Sequence, residues 1–395
     1  MNHEFVVPGF LANGIHCGIK ENGYKDLGMI FSIQPASAAG VFTKNAFKAA
    51  PVLLDMERIQ RGEGQAVIAN SGVANAATGI EGLQDAREMS LMASRQLGIR
   101  DELVYVASTG VIGYRVPISK IRKGMPRLVT GLKEDGFSQA EEAIMTTDKM
   151  PKMSLAKGVI DGREITVCGL AKGAGMIEPH MATMLAFIMT DANIESGTLD
   201  KLFRSSVDRS FNAITVDGCM STNDTALILA NGQSGLKPLN GSRNIQIFKT
   251  MLDDVLSQLS FSMVQDGEGA TKVIELRVEE AKSRMDARRI AYAVANSNLV
   301  KTAFYGGDPN WGRIIGAIGA VKETIPVNAV RVTLNHVVIF ADGRGIDGHE
   351  SELKEIMALP HIRVLIQMGM GKAHFQLLAS DLTHEYVTIN AHYHT

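Results

Sequence analysis

Residues 172 to 191 constrain the chain more than any other stretch. They read Lys-Gly-Ala-Gly-Met-Ile-Glu-Pro-His-Met-Ala-Thr-Met-Leu-Ala-Phe-Ile-Met-Thr-Asp. Gly173, Gly175 and Pro179 make the first half a loop, because glycine frees the backbone and proline has no N–H to give to a ladder. Residues 183–189 are almost wholly apolar and read as a strand buried on both faces. Thr183 sits at the junction, behind the small Ala182. A loop running into a buried strand whose first side chain is a hydroxyl suits a nucleophile, with rigid structure behind it and open space in front. A threonine opening a strand is also an ordinary β-branched residue in a β position.

A chain of 395 residues is long for one simple core and suggests two domains or one large one. Its apolar share of 45% and charged share of 21% fit a folded, soluble globular protein rather than a disordered one. The formal charge of −2 and the lack of a Lys/Arg block leave no electrostatic footprint for nucleic acid. The first residues show no basic region followed by an apolar run, and no apolar run nears the roughly 18 residues that span a bilayer. Cys17, Cys168 and Cys219 are widely spaced and form no CxxC, which fits a reducing compartment. These features together lead to the expectation of a cytoplasmic protein.

Along the chain, residues 7–54 read as strands and turns, with a hairpin signal at Asn22-Gly23 between apolar runs at 14–20 and 26–31. A compact strand at 65–70 runs into the loop 71–79, whose small polar residues let backbone approach a ligand. Helices are expected over 83–97, 116–132, 139–144, 199–211, 244–259 and 285–295. Buried strands are expected at 165–170, 226–230 and 273–278, with further strands over 328–342, 362–369 and 372–378. The strand at 103–113 ends in Ser-Thr-Gly, where a Thr hydroxyl and a Gly N–H can point to one place, as an oxyanion hole requires; the same residues also make a plain capped turn. Lys172 lies in a glycine-rich loop, yet the chain has neither GxxxxGK[ST] nor GxGxxG after the strand, so a phosphate cradle is not indicated. In Gln265-Asp-Gly-Glu-Gly-Ala-Thr-Lys272, Glu268 stands between two glycines, where a carboxylate can face a cavity or a surface turn.

The run from Lys172-Gly-Ala-Gly-Met through Met181-Ala-Thr-Met-Leu resembles the self-cleavage segment of the ornithine acetyltransferase family, the glutamate N-acetyltransferases of arginine biosynthesis. The resemblance extends over nearly the whole chain, through Gln265–Lys272, Ala291-Tyr-Ala-Val-Ala-Asn-Ser-Asn, Gly307-Asp-Pro-Asn-Trp-Gly-Arg313 and an Asn five residues before the last. It implies an α/β fold with helices packed around β-sheets, of the self-processed N-terminal-nucleophile type. It implies a cut between Ala182 and Thr183, giving an alpha chain, 1–182, and a beta chain, 183–395, that stay associated two and two. Thr183 then carries acetyl from N2-acetylornithine to glutamate. Thr109 and Gly110 inherit the oxyanion hole. Thr147 (with Thr146 as the neighbouring alternative), Lys172, Glu268, Asn390 and Thr395 inherit substrate contacts. No cofactor is implied; acetyl-CoA is a co-substrate of many members and not of others, and no residue here decides between them. The chain departs from the family pattern at Lys149, Cys219, Met220 and His394. Trp311 reads as core packing, with Asp308, Asn310 and Arg313 nearby.

Three other readings differ in class. Seven of ten histidines lie at or after His336, and His392 and His394 on a terminal strand would share a face for a metal, with no third ligand specified. An N-terminal-nucleophile amidohydrolase or aminopeptidase would keep the cut and use water as acceptor. An uncut chain would be a small-molecule binding protein.

Overall fold

The computed structural model describes residues 5–178, 184–321 and 324–392. Ala182, Thr183, His394 and Thr395 therefore lie outside the described residues. Two β-sheets carry the fold, and helices cover them.

The first sheet begins with β1 (Phe10–Ile15) folded back antiparallel on β2 (Leu27–Phe42). The hairpin expected around Asn22-Gly23 is present, but its first strand ends at Ile15. The backbone N–H groups of Cys17, Gly18, Ile19 and Lys20 all donate to the buried Asp26 carboxylate, so residues 17–20 wrap around that side chain and leave the ladder. Next come β3 (Glu63–Val73), β4 (Val104–Val111), β5 (Lys152–Ile160), β6 (Arg163–Lys172) and β7 (Leu185–Thr190). After the short β8 (Ile214–Thr215), β9 (Thr225–Ala230) completes this sheet. The order is β4-β3-β2-β9-β7-β6-β5, with β1 on β2.

β7 is the buried strand read from the sequence, and each of its residues is buried. Its side chains alternate between two cores. Ala186 and Ile188 join the helices Ser196–Val207 and Ser242–Gln265, whereas Leu185, Phe187 and Met189 face the core under the helix Phe137–Ile144. A third core joins β3 and β4 to the helices Gly79–Leu97 and Ile118–Thr130 through Ile68, Val106, Met89 and Met125.

The second sheet holds β8, β10 (Val273–Ala281), β11 (Arg331–Leu334), β12 (Val337–Ala341), β13 (Arg344–Gly345), β14 (His361–Gln367) and β15 (Ala373–Ser380). Its order is β13-β12-β11-β14-β10-β15-β8. One face is apolar, with Ile362, Val364 and Ile366 buried and Arg363 exposed between them. The helices Arg284–Ala295, Asn298–Gly306 and Trp311–Gly319 cover that face. Because β8 belongs to the second sheet and β9 to the first, residues 216–224 pass from one sheet to the other.

Three expectations need correction. Residues 49–54 lie largely in the helix Ala50–Arg58, not in a strand: Pro51 falls in the first turn, where its missing N–H costs nothing, and Leu54, Asp55 and Arg58 turn inward at helical spacing. The carboxy-terminal stretch is the helix His384–His392, not a strand, so the shared face proposed for His392 and His394 loses its basis. Trp311 is 39% exposed; it stacks on Phe340 at 5.5 Å and covers Gly345 at the edge of the second sheet rather than filling a core. Asn310 caps the helix that Trp311 begins, accepting from the Arg313 N–H. Among the described residues no helix is long and apolar enough to cross a membrane.

Candidate active site

At one end of the first sheet, β4 and β6 finish while β7 and β9 begin. A cavity of about 120 Å³ opens there. Thr109 and Gly110 line it from β4, Lys172 from the end of β6, Thr146 and Thr147 from the loop before β5, and Glu268 from the loop before β10. Asn390 and Tyr386, one turn apart on the carboxy-terminal helix, close its far side. Thus the six site residues expected from the sequence that fall within the described residues, Thr109, Gly110, Thr147, Lys172, Glu268 and Asn390, meet at one cavity although they span 281 positions of sequence (390 − 109). Ala74, from the loop after β3, also lines it; residues 71–73, read as loop from the sequence, instead end β3 beside Thr109 and Gly110, and Asn75 ties back to the Gly82 carbonyl at 2.9 Å.

Lys172 is not a solvated loop lysine. It ends β6 with only 2% exposure. Its ammonium donates to the Thr146 hydroxyl at 2.6 Å and to the Thr109 hydroxyl at 3.4 Å, and lies 3.8 Å from the Asp148 carboxylate. Burial pushes its pKa below the ordinary lysine range and the Lys152 ammonium adds to this, while Asp148 opposes it. Asp148 is the anchor behind the site. One oxygen accepts from Lys152 and from the Gly173 N–H, both at 2.7 Å, and the other accepts from the Thr146 N–H at 2.9 Å. Burial alone would raise its pKa, but the Lys172 and Lys152 ammoniums outweigh burial and hold the carboxyl well below its usual range. Lys152 in turn pairs with Asp266, which accepts from the Lys149 N–H at 3.0 Å. This buried chain of charges locks three loops together, 145–152, 172–175 and 265–269.

Glu268 lines the same cavity as Lys172. Its backbone N–H donates to the Ala174 carbonyl at 2.8 Å, and its carboxylate accepts from Asn390 Nδ2 at 2.8 Å. Gly175 makes room for that carboxylate: a Cβ at position 175 would lie 2.3 Å from its carbon. At Gly110, φ is +129° and a Cβ would lie 2.3 Å from the Gly72 carbonyl carbon, so only glycine fits between the paired strands. The cavity therefore offers the Lys172 ammonium and the Glu268 carboxylate, with the Thr109 and Thr146 hydroxyls beside the ammonium. That charge pattern suits the carboxylate and the ammonium of an amino acid.

Several groups that build this site were not singled out in the sequence. Asp148 was legible only as a turn residue in Met145-Thr-Thr-Asp148. Lys152 carries no local motif, Asp266 lies in the run around Glu268 with no role read for it, and only the fold brings the two together. Tyr386 needed the helical register of the last segment, which places it four residues before Asn390 on the same face. Asp217 and Cys219 also line the cavity. Among the described residues, no group of His, Cys, Asp and Glu side chains is arranged to hold a metal.

The chain is similar to known proteins over nearly its whole length. A family model described as the ArgJ family matches residues 11–395. The chain is 46% identical over 391 residues to the arginine biosynthesis bifunctional protein ArgJ of Geobacter sulfurreducens, covering 98% of this chain and 100% of that one. It is 44% identical over 392 residues to the protein of the same name from Caldanaerobacter subterraneus, covering 98% and 97%. Among solved structures it is similar to an ornithine acetyltransferase from Mycobacterium tuberculosis in complex with ornithine, at 36% identity and a TM-score of 0.40, over 45% of this chain and 94% of that one.

Proposed function

The chain belongs to the ArgJ family, and from that membership together with the cavity we infer how it works. It is an acetyltransferase of arginine biosynthesis, and it acts on ornithine substrates. In our reading it moves acetyl from N2-acetylornithine to glutamate through an ester on Thr183.

The scheme begins with self-cleavage. The Thr183 hydroxyl attacks the Ala182 carbonyl, the C–N bond between them breaks, and an ester replaces it. Water then adds across the ester, leaving a carboxylate on Ala182 and returning the hydroxyl to Thr183. The α-amine freed in this step has an unperturbed pKa of about 8 and takes the hydroxyl proton when that oxygen attacks the acetyl carbonyl of N2-acetylornithine. The same proton passes to the departing amine of ornithine. In the second half-reaction the glutamate amine attacks the acetyl ester, the Thr183 amine accepts the proton released, and the hydroxyl is restored. Thr109 and Gly110 hold the oxyanion in each half. Lys172 binds a substrate carboxylate and Glu268 a substrate ammonium, with Thr147, Asn390 and Thr395 completing the contacts. No cofactor enters the scheme. The two pieces, 1–182 and 183–395, remain together as two of each, and the enzyme works in the cytoplasm.

The observation that supports this reading is the meeting of Thr109, Lys172, Glu268 and Asn390 at one small cavity beside the start of β7. Thr183→Ala tests it. Mass spectrometry of the purified wild-type protein should give two fragments meeting at Thr183, and the variant a single chain that releases no ornithine from N2-acetylornithine. A single uncut chain that still releases ornithine would overturn the scheme. The relatives are named bifunctional; for this chain, mixing acetyl-CoA with glutamate in the absence of acetylornithine reads out whether there is a second donor.

A further inference from the structure

The stretch 215–225 grips the chain at two places, one before the Ala182–Thr183 bond and one after it. On the upstream side, the Asp217 carboxylate accepts from the Met176 N–H at 2.6 Å and from the Ile177 N–H at 2.8 Å. The Ile177 carbonyl accepts from the Val216 N–H at 2.9 Å and from the Thr215 hydroxyl at 3.2 Å. On the downstream side, the Asp224 carboxylate accepts from the Met184 N–H at 3.1 Å, and the Met184 carbonyl accepts from the Thr225 N–H at 3.1 Å. Both grips use the same pattern, a side-chain carboxylate on an N–H and a backbone N–H on a carbonyl, and both come from one stretch of eleven residues.

The upstream grip holds a conformation the chain would not choose. Met176 has φ +57°, a left-handed backbone that non-glycine residues rarely adopt and that persists only where neighbours enforce it. The Asp217 carboxylate is further fixed by the Cys219 N–H at 3.1 Å and the Tyr386 hydroxyl at 3.3 Å. The downstream grip is fully buried. Asp224 has no exposure, and its second oxygen accepts no hydrogen bond among the described residues. Burial raises its pKa well above the ordinary value, partly offset by the Met184 N–H and by the nearby Thr43 and Ser221 hydroxyls.

We propose that Asp217 and Asp224 are positioning residues for self-cleavage, holding the two ends of the scissile segment so that the residue 183 hydroxyl meets the residue 182 carbonyl. Neither touches the reacting atoms in this scheme. The inference rests on the reading that the bond between 182 and 183 is cut. It goes beyond that reading by naming what orients the segment. Both grips belong to the piece that follows the cut, so one persists as a clip on the tail of the first piece and the other on the new amino terminus.

The test follows the appearance of the two fragments by mass spectrometry in freshly made full-length protein, with thermal midpoints measured alongside. Asp217→Asn loses one charged acceptor and points an amide N–H₂ at a backbone donor, so cutting should slow about tenfold or more. Asp224→Ala removes the Met184 acceptor and should slow it by a similar factor. Asp224→Asn keeps a side-chain oxygen for the Met184 N–H and sets its N–H₂ where the second oxygen accepts no hydrogen bond among the described residues, so it should restore the rate to within about threefold of wild type. A general loss of folding would not produce that rescue. Wild-type cutting rates in both Asp217→Asn and Asp224→Ala would overturn the proposal, as would equal slowing in Asp224→Ala and Asp224→Asn. If the variants do not fold, backbone hydrogen exchange on the uncut Thr183→Ala chain decides. Slow exchange at Met176, Ile177 and Met184 supports the grips, and fast exchange at all three refutes them. A wild-type chain that never cuts refutes the underlying reading instead, and so is told apart.

Discussion

Gly110 and Gly175 both stand where a side chain would collide, yet the two collisions differ in kind. At Gly110 the obstacle is the backbone of Gly72, held in the parallel pairing of β3 with β4. Backbone in a ladder cannot step aside, and φ +129° is closed to alanine as well. At Gly175 the obstacle is the carboxylate end of Glu268, which can swing. Gly110→Ala should therefore lower the thermal midpoint by roughly 2–5 °C, as a loss of about 2–4 kcal/mol from strain and collision together implies for a chain of this length. Gly175→Ala should leave the midpoint within about 2 °C of wild type and raise KM for the amino-acid substrate about tenfold, because the carboxylate proposed to meet the substrate ammonium is displaced. Steady-state kinetics with scanning calorimetry on both variants checks the contrast; the same stability loss in each would contradict it.

At the scale of elements, the helix Phe137–Ile144 brings the buried Glu141 against the start of β5, where one carboxylate oxygen accepts from the Lys152 N–H at 3.0 Å. Burial pushes this carboxyl from its ordinary 4.5 up to about 8, against the pull of that hydrogen bond. Below pH 4.5 the folded and unfolded states both hold the proton, and the contribution to stability is complete. As pH rises toward 8 the unfolded chain gives up its proton while the folded one keeps it, and the contribution drains away. Glu141→Gln should remove this slope. In urea titrations of the uncut Thr183→Ala chain, the stability lost between pH 5 and pH 8.5 should shrink by on the order of 3 kcal/mol. An unchanged slope would mean that Glu141 is not the titrating group.

The same elements show what the sequence could and could not disclose. β7 and the helix Gly79–Leu97 are legible because their apolar periods, continuous and helical, are set by burial alone. The end of β1 is not legible, since it depends on one distant carboxylate, Asp26, drawing four N–H groups out of the ladder. The helix Ala50–Arg58 is hidden by a short apolar run that fits either period, with Pro51 readable as a strand breaker or as a first-turn residue. Thr109, Lys172 and Glu268 were found through motifs that resemble a known family; their spacing alone would have left them as a cap, a surface lysine and a turn. Asp148, Lys152 and Asp266 escaped because the buried ion cluster is completed by a tertiary contact, Lys152 to Asp266, between segments more than a hundred residues apart.

For the molecule as a whole, the proposed cut does not fall between the two sheets. β7 and β9 follow residue 183, yet they lie between β2 and β6, which precede it. Six residue pairs join β6 to β7 and six join β2 to β9. A nick at Ala182–Thr183 thus leaves each piece threaded through the other. After denaturation in guanidinium and dilution, the uncut Thr183→Ala chain should regain the packing of the first sheet at a rate independent of concentration. The nicked protein should do so more slowly as it is diluted, because β7 must then find β6 by encounter. Stopped-flow fluorescence across a tenfold range of concentration reads the difference.

Interleaved strands make assembly history matter. While the polypeptide is whole, tethering supplies the high effective concentration that lets the centre of the sheet close. If the tether is cut as proposed, the finished object persists chiefly by the height of its unfolding barrier, since the way back runs through an encounter of two pieces. Heat or denaturant that opens it in dilute solution should then cost it activity that the tethered chain would recover, so its working lifetime would be counted largely from its first act of folding.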